Sequence, residues 1–152
     1  MPRIDLDSSN LADFERRFNA VSSTEQRQWG TMSLAQMLAH MRITFEVSLE
    51  ERESKDESRA WLLPVIWFLM FEVFTNWPHG KIPATTQFLD DSADDVEGER
   101  TKLIESMRRF VEQADNRPDR ITLEPMLGRI SLTKWRRVHG VHADYHLRQF
   151  DA

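Results

Sequence analysis

The 152-residue chain has a net charge of −5, 40% hydrophobic and 30% charged residues, and no cysteine. An acidic chain is a poor nucleic-acid surface, which needs a clustered basic face, and without cysteine neither a disulfide framework nor a thiolate metal site can form. The length suits one domain over residues 1–152 with a continuous core, and the composition is neither disordered nor fibrous.

The start, Met1-Pro2-Arg3-Ile4-Asp5, has no apolar signal core, so a cytoplasmic protein is expected. A first helix is expected to open at Ser8 or Ser9, with Leu11, Phe14, Phe18 and Val21 inward, and to end near Ser22-Ser23. Ser33-Leu-Ala-Gln36 is a capping box with Met32 and Met37 placed as its staple, the clearest helix start in the chain. The second helix should run to about Arg52, burying Leu34, Met37, Leu38, Met41, Phe45 and Leu49, with His40 at the edge of the stripe. The charged run from Glu50 to Arg59 reads as a solvated helix end.

Trp61 to Phe71 is wholly apolar but far short of the roughly 20 residues a bilayer span needs. A buried helix or an aromatic lid is expected there, with Pro64 breaking or beginning it. Its aromatic surface predicts a homodimer through this segment, or a lid over the functional pocket. A loop from Asn76 to Asp91 carries Pro78, His79, Gly80 and Pro83. A third helix, from about Ser92 to Ala114, has Gly98 weakening its first turns, and Ile121 to Leu123 reads as extended. The expected fold is all-α: a four-helix bundle whose long crossover between helices 2 and 3 makes those two parallel neighbours. Trp29, Trp67 and Trp77 read as packing and His79 as a loop residue.

The last helix, Ser131 to Phe150, is the unusual one. Leu132, Trp135, His139, His142, His146 and Gln149 share one seam, with Lys134, Arg137 and Asp144 on the side read as water-facing. Three of the chain's five histidines thus stand where a bundle puts Leu or Ile. A buried imidazole without a partner costs roughly 1–3 kcal/mol, and a bound cation offsets that cost. His40 lies about 10 Å into helix 2, and the midpoint of His142 and His146 about 8 Å from the end of the last helix. If those helices are antiparallel, the three rings meet at one level.

Three imidazoles with an open position resemble catalytic rather than structural zinc sites. Nitrogen ligands favour a divalent transition metal, zinc or nickel foremost, with Co, Cu or Fe(II) compatible. His139 is a rival ligand, placed instead in the pocket wall or as a general base. Gln36 and Gln149 are candidates to orient the ligating rings.

Trp29-Gly-Thr-Met-Ser-Leu-Ala-Gln-Met-Leu-Ala-His40 and His142-Ala-Asp-Tyr-His146-Leu-Arg-Gln-Phe150 resemble the DinB/YfiT-like superfamily of metalloenzymes. Within it they are similar to a bacterial family of unknown function ending in His-x-x-x-His-Leu-Arg-Gln-Phe, as is the segment from Pro125-Met-Leu-Gly128 to Trp135. The resemblance implies a four-helix bundle with His40, His142 and His146 as metal ligands, and a low-molecular-weight thiol activated by the metal in some relatives. Relatives often carry His before the Pro-x-x-Gly turn, where this chain has Glu124. The expected function is therefore a metal-dependent thiol transferase or hydrolase acting on a small molecule. The competing expectation is a non-catalytic bundle that associates through residues 61–74.

Overall fold

The capping box forms as its spacing requires. Ser33 Oγ accepts from the Gln36 amide at 3.1 Å and Gln36 Oε1 from the Ser33 amide at 2.8 Å, which starts helix α2, Leu34–Ser48. The computed structural model describes residues 4–22, 27–73, 77–80 and 85–152. Expectations for Met1 to Arg3, Ser23, Phe74, Asn76 and Pro83 lie outside the described residues.

Around α2 stand α1 (Leu11–Ala20), α3 (Leu63–Phe68), α4 (Val96–Asn116) and α5 (Leu132–Gln149). Two short strands, β1 (Ile121–Glu124) and β2 (Gly128–Ser131), pair antiparallel with Glu124 opposite Gly128. The protein is mostly helical, as expected of an all-α fold; among the described residues it has five α-helices and, beside them, a two-stranded sheet. The reason is local. Residues 121–124 alternate in burial, and Gly128, at φ 76°, supplies the left-handed residue that turns the chain back.

Side-chain pairs give the helix directions. Arg42 joins Glu99 at 2.6 Å and Arg109 joins Glu51 at 2.9 Å, so α2 and α4 run parallel. Arg108 pairs with Glu15 while Arg100 reaches the carbonyls of Phe18 and Val21, so α1 opposes α4. His40 meets His142 and Ser48 meets His139, so α5 opposes α2. The core between them includes Phe14, Phe18, Met37, Leu38, Met41, Phe45, Leu103, Met107, Phe110, Trp135 and Leu147.

Helix ends depart from expectation for specific reasons. Ser9 bonds back to the Asp7 carboxylate, so α1 starts at Leu11 after Asn10. Glu50 adopts φ 58°, which ends α2 at Ser48 rather than near Arg52. Ser92 bonds Asp90, and Asp95 caps α4 through the Gly98 amide at 2.9 Å, so α4 starts at Val96. Gly98 is no weak point: a Cβ there would collide with the Asp95 carboxylate. The charged run after α2 leaves the helix altogether. Lys55 and Gln87 bond side chain to backbone in both directions, and the Glu57 amide donates to the Pro125 carbonyl at 2.8 Å.

Two further corrections bear on the site. The α5 side read as water-facing is half-buried: Arg137 pairs with Asp5, Asp144 with Arg17, and the Leu6 amide bonds the Arg136 carbonyl. Gly140 permits this cover, because a Cβ there would strike the Ile4 carbonyl. The apolar segment, in turn, is not a buried helix. Pro64 sits in the first turn of α3, and a single π-helical turn, Leu69–Val73, follows. The Trp67 indole donates to the Leu127 carbonyl at 2.8 Å, and Lys134 Nζ lies 3.4 Å from its ring centroid. Trp61 and Phe68 face outward, 76% and 58% exposed. No helix among the described residues is long and apolar enough to cross a membrane.

Candidate metal centre

Antiparallel packing of α2 on α5 brings His40, His142 and His146 together, one ligand atom from each within 4.8 Å of the others. His142 Nε2 lies 2.8 Å from His40 Nε2 and 3.0 Å from His146 Nε2. All three side chains are buried, at 2%, 4% and 5% exposure.

The surrounding bonds assign two of the three tautomers. His40 Nδ1 lies 3.0 Å from the Phe88 carbonyl, which only accepts, so Nδ1 carries the proton and Nε2 is a bare lone pair. Gln149 donates its Nε2 to the Trp29 carbonyl at 2.7 Å, which leaves Oε1 to accept from His146 Nδ1 at 2.8 Å. His146 Nε2 is therefore a lone pair as well. Gly30, at φ 80°, makes the Gln149 contact possible, since a Cβ there would overlap Gln149 Nε2. His142 Nδ1 has no partner.

Burial holds the site neutral. Desolvation pushes His40 down to about 4 and His146, further depressed by His40, down to about 3. His142 is driven well below the usual histidine range by burial first and its histidine neighbours second. Neutral imidazoles with converging Nε2 atoms and back-side donors held by a carbonyl and an amide are the form in which histidine ligates a metal. The donor set therefore fits a borderline divalent transition ion.

His139 is not brought to this point. Its ring is fully buried, stacked on Phe45 at 3.9 Å and on Trp135 at 5.0 Å. Ser48 gives its hydroxyl proton to the Phe45 carbonyl, so it accepts from His139 Nε2 at 2.9 Å, and Nδ1 is left unpartnered. Gln36 is likewise elsewhere, engaged in the capping box and the Asp91 carbonyl.

A cavity of about 330 Å³ opens on the three histidines. Ile66 and Met70 from the apolar segment, Phe88, Leu127 and Val138 give it apolar lining, and Trp29, Trp77 and Tyr145 line it too. Trp77 lies 5.1 Å from the His142 ring, and Trp29 stacks on His79 at 3.8 Å, so two tryptophans and a histidine read as packing and loop belong to the site region. Glu124 also lines the cavity at 5% exposure. The sequence held one signal for it, an acid standing where a similar family often has histidine, but not its burial.

A family model described as "Protein of unknown function (DUF1569)" matches residues 1–152. No curated protein and no solved structure matches the chain.

Proposed function

The chain belongs to the DUF1569 family, and from that premise we propose that it is a metal-dependent enzyme of DinB/YfiT-like architecture. In this reading residues 1–152 form a single unit, with α1, α2, α4 and α5 as its four-helix bundle, and His40, His142 and His146 hold one zinc or nickel ion. The observation that carries it is the convergence of Nε2 atoms, two of them lone pairs by their back-side bonds, in a buried site. A divalent ion with an open position lowers the pKa of a bound thiol or water and so supplies a nucleophile at neutral pH. The protein's part is to orient the ligating rings through Phe88 and Gln149, to exclude bulk water with Ile66 and Met70, and to hold the apolar body of a small substrate against Trp29 and Trp77. A thiol transferase and a hydrolase differ only in which nucleophile occupies that position. The general-base role expected of His139 is not carried forward, because its imidazole is sealed between Phe45 and Trp135.

Protein purified without chelators is expected to carry close to one metal ion per chain, or to take up one on titration with zinc or nickel. Elemental analysis showing none, with no uptake, would remove the basis of this reading.

The second reading, association through the apolar segment, is supported by the outward exposure of Trp61, Val65 and Phe68 beside the inward Ile66 and Met70. The lid and the dimer contact are then opposite sides of one segment. Because Trp67 ties the segment to Leu127, Phe68→Glu is the cleaner probe than Trp67→Glu. Sedimentation should give a dimer for the wild type and a monomer for Phe68→Glu, both retaining metal. A wild-type monomer would leave the lid alone.

A further inference from the structure

Glu124 stands at the end of β1, where the chain turns into Pro125-Met126-Leu127-Gly128. Its Oε2 accepts from the amides of Met126, at 2.7 Å, and Leu127. No donor among the described residues reaches Oε1, and the side chain lines the same cavity as the three histidines. The two oxygens therefore differ. Oε2 is committed as an acceptor to the turn, so a proton on this carboxyl resides on Oε1.

The charged groups acting on Glu124 from the neighbouring segment are Glu57 and Asp56, both of its own sign. Glu57 is held there by the Thr85 hydroxyl at 3.0 Å and by its amide bond to Pro125. The three histidines beside the cavity are neutral, and Lys134 is occupied over Trp67. Burial comes first, with the two acids adding to it; against the pull of the turn amides they push the Glu124 carboxyl up to about 7. A group that only capped the turn would gain nothing from such a position, whereas one that trades protons near neutral pH needs it.

We propose that Glu124 is the residue that exchanges a proton with the protic ligand entering the cavity. This inference rests on the metal reading above. For a thiol, the S–H bond breaks, its electron pair stays on sulfur, and the proton forms an O–H bond at Oε1. The same proton is then available to the atom that gains negative charge when the thiolate attacks its electrophile, so no oxidant or further reactant is required.

The test uses zinc-loaded protein and 2-mercaptoethanol, with calorimetry in buffers of different ionisation enthalpy to count the protons released on binding. A thiol bound to zinc loses its proton. In Glu124→Gln that proton goes to the buffer or, where zinc-bound water has ionised, to the hydroxide the thiol displaces, and this second route is common to variant and wild type. The glutamine carbonyl still accepts from the Met126 and Leu127 amides, so the turn is retained. In the wild type an ionised Glu124 takes up a proton as the thiol binds. The wild type should therefore release fewer protons than Glu124→Gln at pH 8, and the two counts should converge toward pH 6, where the carboxyl is already protonated. If the variant folds poorly, infrared difference spectra of the wild type at pH 8 report the same event, as loss of a carboxylate band and gain of a protonated carboxyl band on thiol binding. Equal counts in wild type and Glu124→Gln from pH 6 to 8, in protein that binds both zinc and thiol, overturn the role of Glu124 while leaving the metal reading intact. Failure to bind zinc overturns both. A merely structural Glu124 would not move the proton count.

Discussion

His142→Ala should lose zinc affinity on the order of a thousandfold, while His139→Ala should keep the affinity of the wild type. His142 Nε2 lies within 3.0 Å of both other ligating nitrogens. Removing one ligand forfeits a quarter to a third of a binding free energy of about 10–16 kcal/mol, and 1.4 kcal/mol is a factor of ten. His139 touches none of the three ligating rings. Its truncation empties a space between Phe45 and Trp135 and should cost stability alone, about 2–4 kcal/mol. Gln149→Leu lies between these extremes. It removes the acceptor that holds the His146 tautomer and should weaken zinc binding 10–100-fold, as loss of such supporting partners does. Zinc titration of the three variants beside urea unfolding separates the two effects. Loss of metal from His139→Ala with retention in His142→Ala would reverse the ligand assignment.

The metal-free protein should lose stability on mild acidification, and zinc should offset this. His40 and His146 titrate at about 4 and about 3 in the fold, against 6.5 in the unfolded chain. Below pH 6.5 the unfolded chain therefore binds protons the folded one refuses, and stability falls as pH falls. At pH 5 each of the two costs about 2 kcal/mol. His139 and His142, both lowered by burial, act in the same direction. Glu124 opposes them. Its folded value near 7 exceeds the unfolded 4.5, so its contribution is full below pH 4.5 and is lost as pH rises through 7; at pH 5 it returns on the order of 2–3 kcal/mol. From these three groups the net loss is about 1–2 kcal/mol, to which His139 and His142 add. Urea unfolding of chelator-treated protein at pH 7 and pH 5 should show it, more steeply in Glu124→Gln. Equal stability at both pH values would mean the buried histidines are not held neutral.

The sequence by itself determined the parts of this protein that depend on spacing along one element. The capping box at Ser33 set the start of α2 and with it the height of His40. The i, i+4 interval of His142 and His146 set two rings on one side of α5, and their joining to His40 needed only antiparallel packing. The extended run at Ile121 was legible as well, though not its pairing with β2, which depends on Gly128.

What only the tertiary structure decided is which segments cover which side chains. His139 and His142 are equivalent by periodicity, yet one is sealed between Phe45 and Trp135 and the other opens on the cavity. Lys134, Arg137 and Asp144 read as solvent-facing until α3, the N-terminal arm and α1, respectively, lie across them. The acceptor for His40 comes from Phe88, 48 residues away. Glu124 becomes a near-neutral acid only where the hairpin, the 53–59 segment and the cavity meet. Desolvation and like-charge repulsion depend on the distance to groups remote in the chain, and the spacing of residues within one element carries no such distance.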